Sequence, residues 1–242
     1  MTGRYALLLD GGFVEKRLAS RNRRPPDPAD ILAECARIRA HPRLAGSALL
    51  RVYYYDAPPA TGSTRHPCTG RQVILELTDT HRRRARFLDE LELCPDIALR
   101  LGEVAMRGWR VRRGAIAQMA AQSRPLQEDD VELHLEQKGV DLRLGLDIAR
   151  LALRQLVDTL VVVTGDSDMI PAFKFARREG LRVLLTTSAA RSAASCAPTR
   201  ISCCSPAPAP PSAGMRATTQ LLRSTGEVDL ARLRSDLQRS PE

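Results

Sequence analysis

The run Thr159–Thr164, TLVVVT, constrains the fold more than any other stretch of this chain. It is apolar without alternation, so the strand it predicts must be buried on both faces. A strand of that kind belongs in a sheet covered by helices on each side. Tyr5–Leu9 is a second short apolar run, and Leu49–Tyr55 and Leu181–Thr186 read as further strands. Helical spacing lies between them. Asp30–Arg39 places Ile31, Leu32, Cys35 and Ile38 on one face, and Thr80–Leu93 does the same with Phe87, Leu88 and Leu91. Val140–Leu156 is strongly amphipathic, and Ile170–Arg178 ends before Gly180. Strands alternating with helices imply right-handed βαβ crossovers. The fold class is therefore α/β: a sandwich whose mainly parallel sheet, of about four to six strands, is flanked by helices. Ile97–Val104 and Trp109–Arg112 read as two strands joined at Arg107-Gly108, and Gly114–Gln137, poorly patterned, as a mobile flap.

Of the 242 residues, 43% are hydrophobic, which excludes wholesale disorder. The patterned sequence spans residues 1–188 and predicts one domain there. From 189 the chain turns small, polar and proline-rich, with no hydrophobic period, so 189–242 is expected to be a low-complexity, disordered tail. Within it, Thr218–Arg239 could form a short amphipathic helix. No apolar run approaches the ~20 residues that cross a bilayer. The N-terminal run is too short for a secretory signal and ends in an aspartate. The expectation is a cytoplasmic protein with no membrane partner and with reduced thiols at its six cysteines. These form no CxxC pair and have no histidine at zinc-finger spacing, so zinc is a poor candidate.

Aspartates recur where parallel strands end, the edge at which such folds place ligands. Asp10 follows Tyr5–Leu9, Asp56 follows Leu49–Tyr55, and Asp166 and Asp168 follow Thr159–Thr164. Asp141 opens the helix that begins KGVD. Crowded carboxylates either take up protons or are neutralised by a cation. All-oxygen ligands suit Mg²⁺ or Mn²⁺, and such ions promote phosphodiester hydrolysis. Simpler roles compete: Asp10 as the start of a DGG turn, Asp168 as the N-cap of the next helix, Asp141 as an acid near a helix N-terminus. Asp166 is the aspartate least suited to capping by this reading. Asp147 lies about 240° around the helix from Asp141 and shares no face with it. Asp56, before Ala-Pro-Pro, suits a turn as well as a metal. Thr164 and Ser167 could supply supporting hydrogen bonds to the acids.

No GxxxxGK[ST], GxGxxG, GxSxG or HExxH pattern occurs. Four blocks, LLLDGGFVEKRL, RVYYYDAPP, QKGVDLRLGLDIARLA and LVVVTGDSDMIPAFKFARREGLRV, resemble in order and spacing the NYN domain. This is a branch of the PIN-like nuclease superfamily common in bacteria, and the resemblance runs over about residues 4–187. It implies a Rossmann-like PIN fold of bacterial type and a Mg²⁺- or Mn²⁺-dependent ribonuclease site at Asp10, Asp141, Asp166 and Asp168.

The net charge of +9 favours a polyanionic partner. Arg82, Arg83 and Arg84 form one basic cluster and Arg21, Arg23 and Arg24 another. Arg107, Arg110, Arg112 and Arg113 flank Trp109, an arrangement suited to phosphate contacts beside a stacking ring. The function expected is hydrolysis of RNA, preferably single-stranded, by a metal-dependent aspartate cluster. A non-catalytic module that binds RNA or a regulatory partner is the alternative, and self-association is left open.

Overall fold

The computed structural model describes residues 3–186 and the backbone of residues 201–203. In chain order the elements are β1 (Arg4–Asp10), α1 (Gly11–Asn22), α2 (Pro28–Arg39), β2 (Ala48–Asp56), β3 (Ser63–Arg65), β4 (Gln72–Ile74), α3 (Asp79–Glu92), β5 (Ile97–Leu101), β6 (Glu103–Val111), α4 (Ala115–Gln122), β7 (Val131–Lys138), α5 (Val140–Leu153), β8 (Thr159–Val163), α6 (Ile170–Arg178), β9 (Arg182–Thr186) and β10 (Ile201–Cys203). The main sheet runs β10-β9-β8-β1-β2-β5 and is parallel except for the β10–β9 pair. The expected sandwich is thus observed, with β1 and β8, the two apolar runs, at its centre.

Side-chain alternation along these central strands feeds two separate cores. Leu7, Leu9, Val161 and Val163 face α1, α2 and α3 through Val14, Leu18, Ile31, Ile38 and Leu91. Leu8, Leu160 and Val162 face α5 and α6 through Leu144, Ile148, Leu151 and Phe173. Both strand faces are apolar because both are covered. The caps are local. Asp27 and Asp30 form a reciprocal capping box at the start of α2, with Pro28 in its first turn.

Three expectations are corrected. Arg107-Gly108 does not join two strands. It lies inside β6, where the register to β7 shifts between Met106 and Trp109, and Gly108 absorbs the irregularity at φ 90°. Gly114–Gln137 is not an unstructured flap, for it contains α4 and most of β7. The strand register of β6 and β7, and not any strong pattern of its own, recruits this segment. The stretch from 189 is not wholly without structure, because Ile201–Cys203 pairs antiparallel with β9. The open edge of a sheet offers backbone donors and acceptors to an extended segment whatever its composition. The remainder of 189–242, including the helix expected over Thr218–Arg239, lies outside the described residues.

The helices over β1 and β2 are tied by a buried charge. The Glu34 side chain on α2 is wholly buried and pairs with Arg17 and Arg21 of α1 and with Arg37, with Arg37 Nε at 2.9 Å and Arg21 Nη1 at 3.3 Å. Burial by itself would raise this carboxyl, but Arg37, Arg17 and Arg21 together hold it below its ordinary value. Removing it leaves guanidinium groups without their partner. Glu34→Gln should therefore cost about 3 kcal/mol by denaturant unfolding. Because the folded-state pKa is depressed, the stability Glu34 confers is present above its unfolded pKa and lost as pH falls through the folded one. The variant should accordingly show a weaker loss of stability in acid than the wild type.

Candidate active site

Winding reverses between β1 and β8. From β1 the chain steps to β2 and β5 under α1 to α3, whereas β8 and β9 extend the sheet the other way under α5 and α6. Such a reversal opens a crevice outside the carboxyl ends of the strands. The register Leu9↔Val163 sets Asp10 level with Thr164 at this point. The Thr164 hydroxyl donates to Asp10 Oδ2 at 2.9 Å and accepts the Asp166 N–H at 3.1 Å. Asp166 Oδ1 accepts the Asp168 N–H at 2.8 Å, and Asp10 Oδ1 accepts the Phe13 N–H at 3.1 Å. One threonine thus links the end of β1 to the loop after β8.

Asp141 sits in the first turn of α5, exposed to solvent. Its carboxyl is raised above the ordinary value, first by partial burial and then by the charges of Asp166, Asp10 and Asp168. The helix N-terminus favours the charged form and works against this shift. Among the described residues none of the four is in an ion pair. Nor do three His, Cys, Asp or Glu side chains there gather into a ready-made metal site. The donors are oxygen throughout, unpaired and net negative, a set that suits a hard divalent cation.

The structure redistributes several other roles. Asp166, not Asp168, caps the turn after β8, because a 3₁₀ turn over Ser167–Met169 precedes α6 and moves the cap two residues back. Asp10 begins no simple turn; it is the N-cap of α1, a helix the sequence reading passed over. The Ser167 backbone carbonyl accepts the Ile170 N–H, and its side chain is exposed. Asp147 is turned into the sheet and away from Asp141. Arg100 Nη2 donates to its Oδ1 and Tyr55 Oη to its Oδ2, each at 3.1 Å. Arg100 Nε lies 2.9 Å from Oδ2 but out of line for a hydrogen bond, so that contact is purely ionic.

Asp56 is buried beside Arg84, and its Oδ1 accepts the Ala57 N–H at 2.7 Å. Burial raises the Asp56 carboxyl, against the opposing pull of Arg84. Arg84, expected on an RNA-binding surface, is instead drawn inward to Asp56 and to both oxygens of Glu15, at 2.8 Å. Burial opposes its charge, but the two carboxylates keep it firmly protonated. Arg82 and Arg83 remain exposed and bond to the start of their own helix, at Leu77 O and Asp79 O. Arg110 pairs with Glu132 at 2.8 Å across the β6–β7 ladder. Trp109 is half-buried, edge-on to the His66 ring with centroids 4.6 Å apart, and its Nε1 donates to Thr64 Oγ1. It packs the β6–β7 ribbon against β3.

Beside the aspartates a cleft of about 640 Å³ opens, with Gly12, Glu15, Asp56, Arg84 and Gln137 in its wall. Glu15 and Phe13 escaped the sequence reading because α1 did. Val14 and Leu18, four apart after a capping aspartate, were the available signal. Phe13 packs on the loop after β8 so closely that a Cβ at Gly165 would lie 2.5 Å from its ring.

The fold and this crevice define an α/β protein with an acidic switch point. Residues 105–202 match the family model of the NYN domain, whose members are typically nuclease-like ribonuclease domains. The resemblance read from the sequence is borne out over that span. The match includes Asp141, Asp166 and Asp168 and extends into β10. No curated protein matches the chain. Among solved structures, a protein of unknown function from Vibrio parahaemolyticus is 14% identical, with 76% of this chain and 80% of that one covered, at a TM-score of 0.39.

Two substitutions separate support from site. Asp147→Ala should lower stability by about 2 kcal/mol, since it strands Arg100 and the Tyr55 hydroxyl. Gly165→Ala should cost about 1–3 kcal/mol by forcing the Phe13 ring aside. Chemical denaturation measures both, and for Gly165→Ala an unchanged midpoint would contradict the close packing.

Proposed function

We propose that the protein is a metal-dependent ribonuclease whose site is Asp10, Asp141, Asp166 and Asp168, acting on single-stranded RNA. The observation that carries this reading is the set of four carboxylates at the switch point, in no ion pair among the described residues: the Asp10 carboxylate takes the Thr164 hydroxyl, which accepts the Asp166 N–H, Asp166 Oδ1 accepts the Asp168 N–H, and Asp141 opens α5. They would hold Mg²⁺ or Mn²⁺, which when bound lowers the pKa of a water and neutralises charge on the phosphate. The chain's own part is positional. Thr164 fixes the Asp10 carboxylate relative to the loop after β8, and each oxygen it engages keeps a second lone pair. Asp166 holds that loop by capping it. Asp141 enters from α5, on the opposite face of the sheet from α1. The NYN match supports RNA as the substrate class. No helix among the described residues is long and apolar enough to cross a membrane, and a cytoplasmic location is part of the proposal.

One observation favours a second reading, an RNA-binding module without catalysis: among the described residues no three His, Cys, Asp or Glu side chains stand gathered for a metal. Cleavage of single-stranded RNA decides between them. Activity should require Mn²⁺ or Mg²⁺ and stop with EDTA. Asp166→Asn keeps Oδ1 as the cap acceptor but removes a charge from a repelling cluster. Its melting temperature without metal should equal or exceed that of the wild type, while cleavage falls at least about 100-fold. Wild-type cleavage by this variant would move the activity to another site, and metal-independent RNA binding without cleavage would establish the binding module.

A further inference from the structure

The cleft of about 640 Å³ beside the aspartates has a charge distribution that the carboxylate site does not explain. Lys16, Arg23, Arg24 and Arg84 line it against only Glu15 and Asp56. Two of the four cations are already engaged. Arg84 is held by Glu15 and Asp56, and Arg24 by Asp30 at 2.8 Å and Asp27 at 3.3 Å. Lys16 and Arg23 are in no ion pair among the described residues, and both are exposed. A second cavity, of about 380 Å³, lies on the other side of Lys16, but its arginines, Arg17 and Arg21, are paired with Glu34. Of the cations on α1 and its C-cap, Lys16 and Arg23 are thus the two without an ion pair among the described residues, and both line this cleft.

Spacing aligns that charge with the site. Gly12, Lys16, Ala19 and Arg23 recur at intervals of four, three and four, so they form one stripe along α1. The stripe begins two residues from Asp10 and runs roughly 16 Å outward at ~1.5 Å per residue. Gly12 leaves its start open. Arg23, at its far end, sits in the left-handed region at φ 56°, where a glycine would fit with less strain.

We propose that this cleft is a path for the RNA strand beside the site, with Lys16 and Arg23 contacting phosphates that flank the one to be cut. This rests on the ribonuclease reading. The walls fit a nucleotide strand: the cavity is of ligand-binding size, and the exposed Lys16, Arg23 and the amide of Gln137 line it. The Gln137 Nε2 contact to Asp56 Oδ1 is long, at 3.4 Å, so the amide is weakly held.

Binding of a short fluorescein-labelled oligouridine to the full chain, followed by anisotropy in EDTA over a range of NaCl, tests the path without cleavage. Lys16→Ala and Arg23→Gly should each flatten the slope of log K against log salt by about 0.7, and together weaken binding on the order of tenfold at low salt. Arg23→Gly should do so with a melting temperature at or above the wild type, which separates contact from folding. Arg178→Ala, one exposed charge on α6 over the other face of the sheet, should change neither slope nor affinity. Equal binding by wild type and both cleft variants would overturn the path while leaving a Mn²⁺-dependent wild-type activity intact. Weakening by Arg178→Ala to the same degree would reduce the effect to bulk charge and overturn it too. Weakening with unchanged slope would overturn the phosphate assignment. A wild type that neither binds nor cleaves RNA would end the ribonuclease reading itself, and the path with it.

Discussion

The parallel pairing of β1 with β8 is the constraint on which the site depends. Its register brings Asp10 and Thr164 level, and the hydrogen bond between them closes the sheet at the point where its winding reverses. Neither residue is near the other in sequence. What joins them is backbone ladder geometry, itself secured by two apolar cores that bury Leu7, Leu9, Val161 and Val163 on one face and Leu8, Leu160 and Val162 on the other. A one-residue slip would exchange these faces and separate the pair.

Charge is organised on either side of that bond by burial. Buried or inward carboxylates here are matched by arginine: Glu34 by three, Asp56 by Arg84, Asp147 by Arg100. This is the expected solution for charge taken out of water. Asp10, Asp141, Asp166 and Asp168 are the contrast. They stay at the solvent edge with no cationic partner among the described residues, Asp10 and Asp166 accepting backbone and hydroxyl donors, and Asp141 is raised by burial and by the charges of the other three. The distinction between structural and candidate functional acids follows from partner, not from position in the sequence.

The basic residues divide in the same way. Arg84 and Trp109, expected as surface groups for a nucleic acid, are committed to the protein's own packing, while Arg110 stays exposed in a surface ion pair with Glu132. Their clustering in sequence carried no information about which guanidinium groups meet a carboxylate across an element boundary. Arg23 stood in a basic cluster of the sequence beside Arg21 and Arg24, but only the structure shows that, with Lys16, it lines one cleft with no ion-pair partner among the described residues.

What the sequence determined by itself was the sheet and its ends. Strands apolar on both faces, helices between them and an aspartate after three of the runs are local properties, and local periodicity reports them. Edges that depend on partners were not legible. The weakly patterned α4 and β7 exist because β6 supplies a ladder, and Ile201–Cys203 is a strand because β9 leaves an edge open. The helix α1 was overlooked because its apolar stripe is narrow, and with it went Glu15, Phe13 and the cleft. Only the tertiary structure decided that Asp166 caps, that Asp147 and Asp56 are paired and buried, and that Asp10, Asp141, Asp166 and Asp168 are not. Pairing is a contact across tens of residues, set by register and packing, which no pattern along the chain records.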